Sequence, residues 1–383
     1  MYNVLILGAG AGGLMCASRL ASLGRVGLID TNNAIAQKIK ISGGGRCNIT
    51  NTSVSADDYE GDGEFVSTVL SQFSKDDLLR FLAQNALHLV LKDKEFYFCK
   101  TSSDEIISLF KRLCQRCDYL LNRSILRVKK ENGIFTVTTD KQIYRAKHLV
   151  VATGGKSFTK LGASDIGLQI ASGFGLQVKS FTPALVGLTL QKEQFWMKEL
   201  SGISADVAII VDDKKISQKM LFTHKGISGP AVLNTSLYWK KGGITIDFVP
   251  NIDIDKLIKK SKKLLSSTLP IAKRLAVALL NILEIPDIAC QTLTPKNIQT
   301  LNQIHNYTFA PAGNFGFSKA EVSTGGVCVD EIDPKTMMSR KVDKLYFIAE
   351  VLDVTGRLGG YNFQWAFSSG AVCGDYIKKN QNS

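Results

Sequence analysis

The sequence predicts an α/β fold in which one parallel-sheet domain is split by inserted segments, and three observations carry that prediction. The apolar run Val4-Leu5-Ile6-Leu7 is followed at once by Gly8-Ala9-Gly10-Ala11-Gly12-Gly13. A second apolar run, Val26-Gly27-Leu28-Ile29, ends in the acidic Asp30. Far along the chain, Leu345-Tyr346-Phe347-Ile348-Ala349 leads through a glycine-rich loop into a helical pattern from about Phe363 to Ile377. A C-terminal strand, loop and helix of this kind returns to the N-terminal domain, so the middle of the chain reads as an insertion.

The first element is a strand that enters a glycine turn and then a helix over residues 14–23. Gly8 permits the tight turn, Gly10 lets backbone N–H groups approach a pyrophosphate, and Gly13 lets the helix pack closely on the sheet. Asp30 is placed to accept the ribose hydroxyls of an adenosine, so the segment reads as a Rossmann-like dinucleotide site. Helices are expected over 75–85 and 104–117, and strands over 125–129 and 133–139. The run His148-Leu149-Val150-Val151-Ala152-Thr153-Gly154-Gly155 reads as a buried strand that rejoins the first sheet and ends in a glycine turn. From Thr182 the pattern becomes β-rich, with strands over 207–211 and 243–248. Pro250 ends that stretch, residues 251–305 read as helical, and a second β-like stretch covers 307–329.

At 383 residues the chain is long enough for two or three domains with real cores. The apolar N-terminus lacks a basic leader, and Arg19 follows the glycine turn, so strand-turn-helix explains it better than a signal peptide. No apolar run approaches the ~18 residues of a membrane span, and the expected address is cytoplasmic. The eight cysteines show no disulfide-framework spacing. Cys114-Gln115-Arg116-Cys117 has no second pair to complete a metal site, so no metal is expected. The net charge of +13 gathers lysines at 256–263, with pairs at 214/215, 240/241 and 378/379. Apolar positions within 257–265 fall at helical spacing, which makes those lysines a solvated helix face, and no aromatic-rich RNA-reading motif accompanies them. Nucleic acid therefore ranks below a small-molecule substrate as partner. Disorder is expected only in the polar tail, 378–383.

Ser42-Gly43-Gly44-Gly45-Arg46-Cys47-Asn48-Ile49-Thr50-Asn51 cannot form an ordinary helix. Three consecutive glycines expose backbone N–H groups and Arg46 adds a cation, which suits a pyrophosphate and the polar edge of a ring. Together with Ala152-Thr153-Gly154-Gly155 and Gly356-Arg357-Leu358-Gly359-Gly360-Tyr361-Asn362, this set resembles the FAD-dependent oxidoreductases of the two-dinucleotide-binding-fold superfamily. Within it, the chain is similar to the bacterial NAD(P)/FAD-dependent oxidoreductases also labelled aminoacetone-oxidase-family FAD-binding enzymes. Three further blocks carry the likeness: Phe222-Thr223-His224-Lys225-Gly226-Ile227-Ser228-Gly229-Pro230-Ala231, Glu321-Val322-Ser323-Thr324-Gly325-Gly326-Val327, and Ala349-Glu350-Val351-Leu352-Asp353. One departure is visible. Where the family tends to read aromatic-Pro and then Gly-Ser-Thr-Gly-Asp-Gly, this chain has Phe158-Thr159-Lys160-Leu161-Gly162-Ala163-Ser164-Asp165-Ile166-Gly167.

The resemblance implies a Rossmann-like FAD-binding domain over 1–181 and 330–383, interrupted by a β-rich, barrel-like domain over 182–250 and 306–329. A small helical domain, 251–305, in turn interrupts the β-rich one. It also implies that Gly8, Gly10, Ala11, Gly12 and Gly13 hold the pyrophosphate and that Asp30, with Thr31, holds the adenosine ribose. Lys38, Ser42, Gly44, Gly45, Arg46, Cys47 and Asn48 would wrap the flavin side, with Ile125 near adenine and Ala152, Thr153 and Gly154 lining the site. Asp353 would approach the ribityl and phosphate groups, and the N–H groups of Gly360, Tyr361 and Asn362 the flavin pyrimidine. Cys47 stands where flavin disulfide reductases keep a cysteine pair, but no partner is near it in sequence, which argues against dithiol exchange.

The expected activity is hydride exchange between flavin N5 and a small organic substrate at the domain junction, ene-reductase-like or amine-oxidase-like. His224, Tyr361 and Arg357 are the candidate catalytic residues, while His88, His148 and His305 read as structural. NADPH or NADH, as reductant, would visit the flavin directly, because no second strand-GxGxxG-helix follows residue 150. Two alternatives stand beside this: a flavin-dependent tRNA-modifying enzyme, for which the lysines speak, and a non-enzymatic flavin sensor or scaffold.

Overall fold

A computed structural model describes residues 1–380. The chain divides into two compact units, Met1–Pro183 with Glu321 onward, and Ala184–Ala320.

The first unit is built on a seven-stranded sheet. Its strands run Asp118–Leu120, Val26–Ile29, Tyr2–Leu7, Ile143–Val151, Ile134–Thr139 and Ile125–Glu131, and Leu345–Phe347 also pairs with Ile143–Val151. Ile143–Val151 changes partners along its length. Residues 143–146 pair antiparallel with Ile134–Thr139, while 149–151 pair parallel with Leu345–Phe347. The parallel centre is covered on both faces, which is why Val4, Leu5, Ile6 and Leu7 have no solvent exposure and read as an unbroken apolar run. The C-terminal helix Tyr361–Lys379 lies along the first helix, Ala11–Leu20, through small residues. A Cβ on Gly370 would stand 2.5 Å from the carbonyl oxygen of Gly12, and one on Gly374 2.9 Å from that of Cys16. Close backbone approach thus locks the two dinucleotide-side helices together.

In the second unit the strand order is Tyr307–Phe309, Ile244–Asp247, Ser204–Val211, Lys214–Thr223, Gly226–Ser228, Leu188–Thr189 and Gly313–Asn314, with every pair antiparallel. Helix Pro230–Tyr238 packs on this sheet around Met220, Phe222 and Phe248. Residues 249–304 carry a separate apolar cluster that includes Ile254, Ile258, Leu265, Leu280 and Leu301. Among the described residues, no helix is long and apolar enough to cross a membrane.

Several elements differ from the sequence reading. The expected 104–117 helix ends at Leu113, and the Cys117 N–H bonds the Cys114 carbonyl in a tight turn, 2.9 Å. Apolar residues at 257–265 do not form one helix: Ile254–Lys259 stops, a turn follows, and Leu265–Thr268 is a separate single turn. The helices Gly63–Gln72, Ile166–Gly173 and Pro230–Tyr238 were not expected. The C-terminal helix continues through Lys379, so the predicted disordered tail starts too early; residues 381–383 lie outside the described residues.

Candidate functional site

The glycines of the first turn do two different jobs. Gly8 sits at φ +111° and donates its N–H to Ile29 O at 2.7 Å, and a Cβ there would overlap the Ala152 carbonyl. A Cβ on Gly13 would overlap the Gly8 carbonyl, and one on Gly12 would crowd Ala349 at 2.8 Å. These three are packing glycines. Gly10 is the N-cap of the first helix, no side chain caps that helix, and nothing lies within 4 Å of a Cβ built on it. Open space at an uncapped helix start beginning at Ala11 is a ready anion cradle.

Asp30 closes the next strand half-buried. Its carboxylate accepts from the Ala9 N–H and the Asn32 N–H, each at 2.8 Å, which fixes its orientation. Arg123 N–H donates to Asp30 O at 3.0 Å and Asn122 N–H to Asn32 O at 2.9 Å, so the strand opened by Ile125 begins beside the acid. The departing 158–167 loop also closes here. Asn32 Nδ2 donates to Leu161 O at 3.0 Å, and a Cβ on Gly162 would stand 2.6 Å from Thr31 Oγ1.

A second glycine turn is Ser42–Gly45, whose Gly43, Gly44 and Gly45 take φ of +55°, +64° and +81°. A Cβ on Gly44 or Gly45 would meet nothing within 4 Å, so this turn also borders open space. Ser42 Oγ donates to Ile39 O at 2.8 Å, and Arg46 is tied back to Lys100 O at 2.9 Å. Cys47 is fully buried, and burial pushes its thiol up to about 12. It is a packing residue, and all eight cysteines are free thiols. Asn48 Oδ1 is buried without a hydrogen-bond partner, and a Cβ on Gly360 would stand 2.8 Å from it. Gly360, at φ +93°, opens the helix Tyr361–Lys379, which again has no side-chain cap.

The residues around that helix start are already committed to one another. Asn362 Nδ2 donates to Gly356 O at 2.8 Å, while its Oδ1 accepts from Gly356 N at 2.9 Å. Arg357 forms an ion pair with Asp58 and lies 5.4 Å over the Tyr361 ring. Tyr361 meets Tyr59 edge-on at 6.1 Å, and burial pushes its hydroxyl up. Arg357 and Tyr361 therefore come together as a packed cluster.

A second cluster includes residues the sequence did not single out. Lys38 Nζ donates to Glu350 Oε2 at 2.7 Å and to Ser157 Oγ at 3.1 Å. Ser157 Oγ reaches Glu350 Oε1 at 3.2 Å, and Ser323 N–H donates to the same oxygen at 2.9 Å. Glu350 thus ties together the Lys38 helix, the turn after Ala152-Thr153-Gly154 and the Ser323 strand. Gly155 leaves room for it: a Cβ there would stand 2.6 Å from Glu350 Oε1. Thr153 Oγ1 is buried and unpartnered, and Gly154, at φ +73°, faces open space. Asp353 pairs with Lys179 at 2.6 Å. The signal for this hub was in the sequence, since Glu350 and Ser323 fall inside two of the family blocks, but nothing there said that they meet.

In the second unit, His224 and Lys225 form the exposed two-residue tip of the hairpin joining Lys214–Thr223 to Gly226–Ser228. Thr223 Oγ1 bonds Gly226 O at 3.0 Å, and a Cβ on Gly226 would overlap the Leu188 carbonyl, so the tip is held rigidly. His305 bonds Asp247 at 2.9 Å, and His148 stacks on Tyr346. His88 is exposed.

Two uncapped helix starts, glycines bordering open space, and the orphaned Asn48 Oδ1 and Thr153 Oγ1 together fit an extended dinucleotide with a polar ring. Comparison with known proteins agrees with that fit. The chain is 37% identical to a ribosomal RNA dihydrouridine synthase of Haemophilus influenzae, covering 96% of both chains. It is 35% identical to one of Escherichia coli, covering 97% of each. A 3-dehydro-bile acid delta(4,6)-reductase of Clostridium scindens is 29% identical over 98% of both chains. Among solved structures, the open conformation of a flavocytochrome c3 fumarate reductase shares the fold, with a TM-score of 0.51 at 15% identity, over all of this chain and 79% of that one. The HI0933-like protein Rossmann domain matches residues 2–376, and the chain belongs to that family of FAD-binding flavoprotein oxidoreductases.

Proposed function

We propose that this chain reduces the C5–C6 double bond of uridine in ribosomal RNA, with FAD as its resident cofactor. The observation that carries the reading is the pair of near full-length relatives, 37% and 35% identical, that are ribosomal RNA dihydrouridine synthases. The bile-acid relative is a reductase of delta(4,6) bonds, so hydrogen addition to a carbon–carbon double bond is the chemistry these relatives have in common. The C5–C6 bond of uracil is conjugated with the C4 carbonyl and therefore accepts an electron pair at C6 and a proton at C5. The sequence alone ranks a small organic substrate above RNA; the names of the two relatives are what support RNA here.

Gly10, Gly44, Gly45 and Gly154 border the space for the cofactor, and the N–H groups opening the helix at Tyr361 would hold the polar edge of its ring. FAD, when bound, would supply the electron pair, with NADPH or NADH as the reductant that restores it. Asn48 and Thr153 would offer their unpaired oxygens to the cofactor, while Glu350 and Lys38 hold the neighbouring turns in register. Of the three candidate proton donors, His224 is exposed, whereas Tyr361 and Arg357 are engaged with Tyr59 and Asp58, so His224 is the one to test. The test is nucleoside mass spectrometry of unmodified ribosomal RNA incubated with the FAD-loaded protein and NADPH or NADH. Dihydrouridine should appear and depend on His224. An RNA that gains none, beside a protein that reduces conjugated small-molecule ketones, would favour the small-substrate reading instead.

A further inference from the structure

The uridine-reduction reading requires a surface that holds a polyanion, and charge is distributed unevenly over the chain. Ala184–Ala320 carries 17 basic and 10 acidic residues, an excess of 7 of the chain's +13. Its densest point is the end of the helix Ile254–Lys259 and the turn from it to the short helix Leu265–Thr268, which together bear Lys259, Lys260, Lys262 and Lys263, all exposed.

The acidic neighbours are turned to other tasks. Asp253 accepts from the Lys256 N–H at 2.9 Å, Asp255 from Asn302 Nδ2 at 3.2 Å, and Asp287 from Ser266 N–H and Oγ at 2.9 and 2.6 Å. Lys256 has Asp253 at 3.9 Å, but among the described residues no carboxylate lies within ion-pair distance of the other four lysines. The turn is also pinned. Ser261 N–H bonds Ile258 O at 3.1 Å, the Ser261 and Thr268 hydroxyls bond at 2.7 Å, and Cys290 N–H bonds Lys263 O at 3.0 Å. Ile258 and Leu265 anchor its two ends in the local core. An ordinary solvated helix face interleaves signs and tolerates fraying. Four unpaired ammonium groups on a fixed turn repel one another, and a row of phosphates relieves that repulsion while releasing counterions.

We infer that this lysine turn is a docking surface for the phosphate backbone of the ribosomal RNA substrate. It rests on the uridine-reduction reading, and it separates grip on the RNA from the flavin chemistry of the other unit. The surface reads charge and spacing, with uridine selection left to the reaction site.

The test compares the FAD-loaded wild type with the variant K259E/K260E/K262E/K263E, by filter binding of unmodified ribosomal RNA across a salt series. Four phosphate contacts on single-stranded RNA give a log–log salt slope of about 3, or roughly 50-fold in affinity between 50 and 200 mM salt. The variant should lose that slope while keeping its flavin absorbance and melting temperature. The pairs K259Q/K260Q and K262Q/K263Q, which add no new charge, should each lose about half of it. Equal slopes and affinities in wild type and variants overturn the surface. A wild type that binds RNA through these lysines yet forms no dihydrouridine leaves the surface standing and defeats the reduction reading. Dihydrouridine formed equally by wild type and variants does the reverse.

Discussion

The two units differ in what their irregular features are for. In the first, glycines either pack against backbone, as Gly8 and Gly13 do, or border open space, as Gly10, Gly44, Gly45 and Gly154 do, and two buried side-chain oxygens, on Asn48 and Thr153, have no hydrogen-bond partner. In the second, the sheet is an ordinary antiparallel ladder, and what stands out is exposed: the His224 hairpin tip and the lysine turn at 259–263. A cofactor cradle must be dry, fixed and shaped, whereas a surface for a large polyanion needs only fixed charge. That contrast predicts that substitutions at packing glycines of the first unit act on folding, those at its open glycines act on FAD, and those at the exposed features of the second act on substrate handling.

The sharpest way to break it is within the glycines. Gly13→Val drives a side chain into the Gly8 carbonyl and should cost more than about 4 kcal/mol, seen as loss of soluble protein or a collapsed melting temperature. Gly10→Val points into open space and should leave the apo fold within about 1 kcal/mol while abolishing FAD retention, read from visible absorbance. If both variants behave alike, the division into packing and cradle glycines is wrong.

Next in size is the Glu350 hub. Lys38→Ala leaves a carboxylate only 17% exposed without its cation, and should cost about 1–3 kcal/mol in denaturant unfolding. Glu350→Gln keeps the hydrogen-bond acceptor toward Ser157 and Ser323 and should cost less. A double-mutant cycle that finds the two changes additive would remove the hub.

A smaller effect is set by pH. Burial, aided by the charge of Lys344, holds His148 down to about 4, against an ordinary value of 6.5. The folded state keeps the imidazole neutral while the unfolded chain binds its proton, so this site's stabilisation is full above about 6.5 and is lost as pH falls toward about 4. His148→Phe should flatten the acid limb of a melting-temperature profile in that window. Smallest of all is Cys47→Ala, which should change reduction of substrate little, while in the wild type the neutral, buried Cys47 thiol should alkylate slowly at pH 8.

Much of the first unit was legible because its signals are steric. A glycine that must avoid the Ala152 carbonyl leaves a mark in a single sequence, and so does a strand covered on both faces. The Ser42–Gly45 turn was readable for the same reason, and Asp30 from its place at the end of an apolar run. What stayed hidden depended on partners distant in the chain: Lys38 meeting Glu350, Arg357 meeting Asp58, and Asn32 closing on Leu161. Helix Gly63–Gln72 was missed although Asp62 caps it by accepting from the Phe65 N–H, because one polar cap before a short apolar pattern is a weak sign. The lysines misled in the other direction. Their helical spacing suggested one continuous helix, but the serine hydrogen bonds at Ser261 favour a turn, and that turn leaves the charges unpaired.

The most direct measurement is an anaerobic one. The protein is reduced under nitrogen, then mixed with unmodified ribosomal RNA while the flavin absorbance is followed and the RNA is digested for nucleoside analysis. The account predicts that the oxidised flavin band returns and that one dihydrouridine forms for each flavin reoxidised. A band that stays bleached in the presence of bound RNA, with no dihydrouridine in the digest, would contradict it.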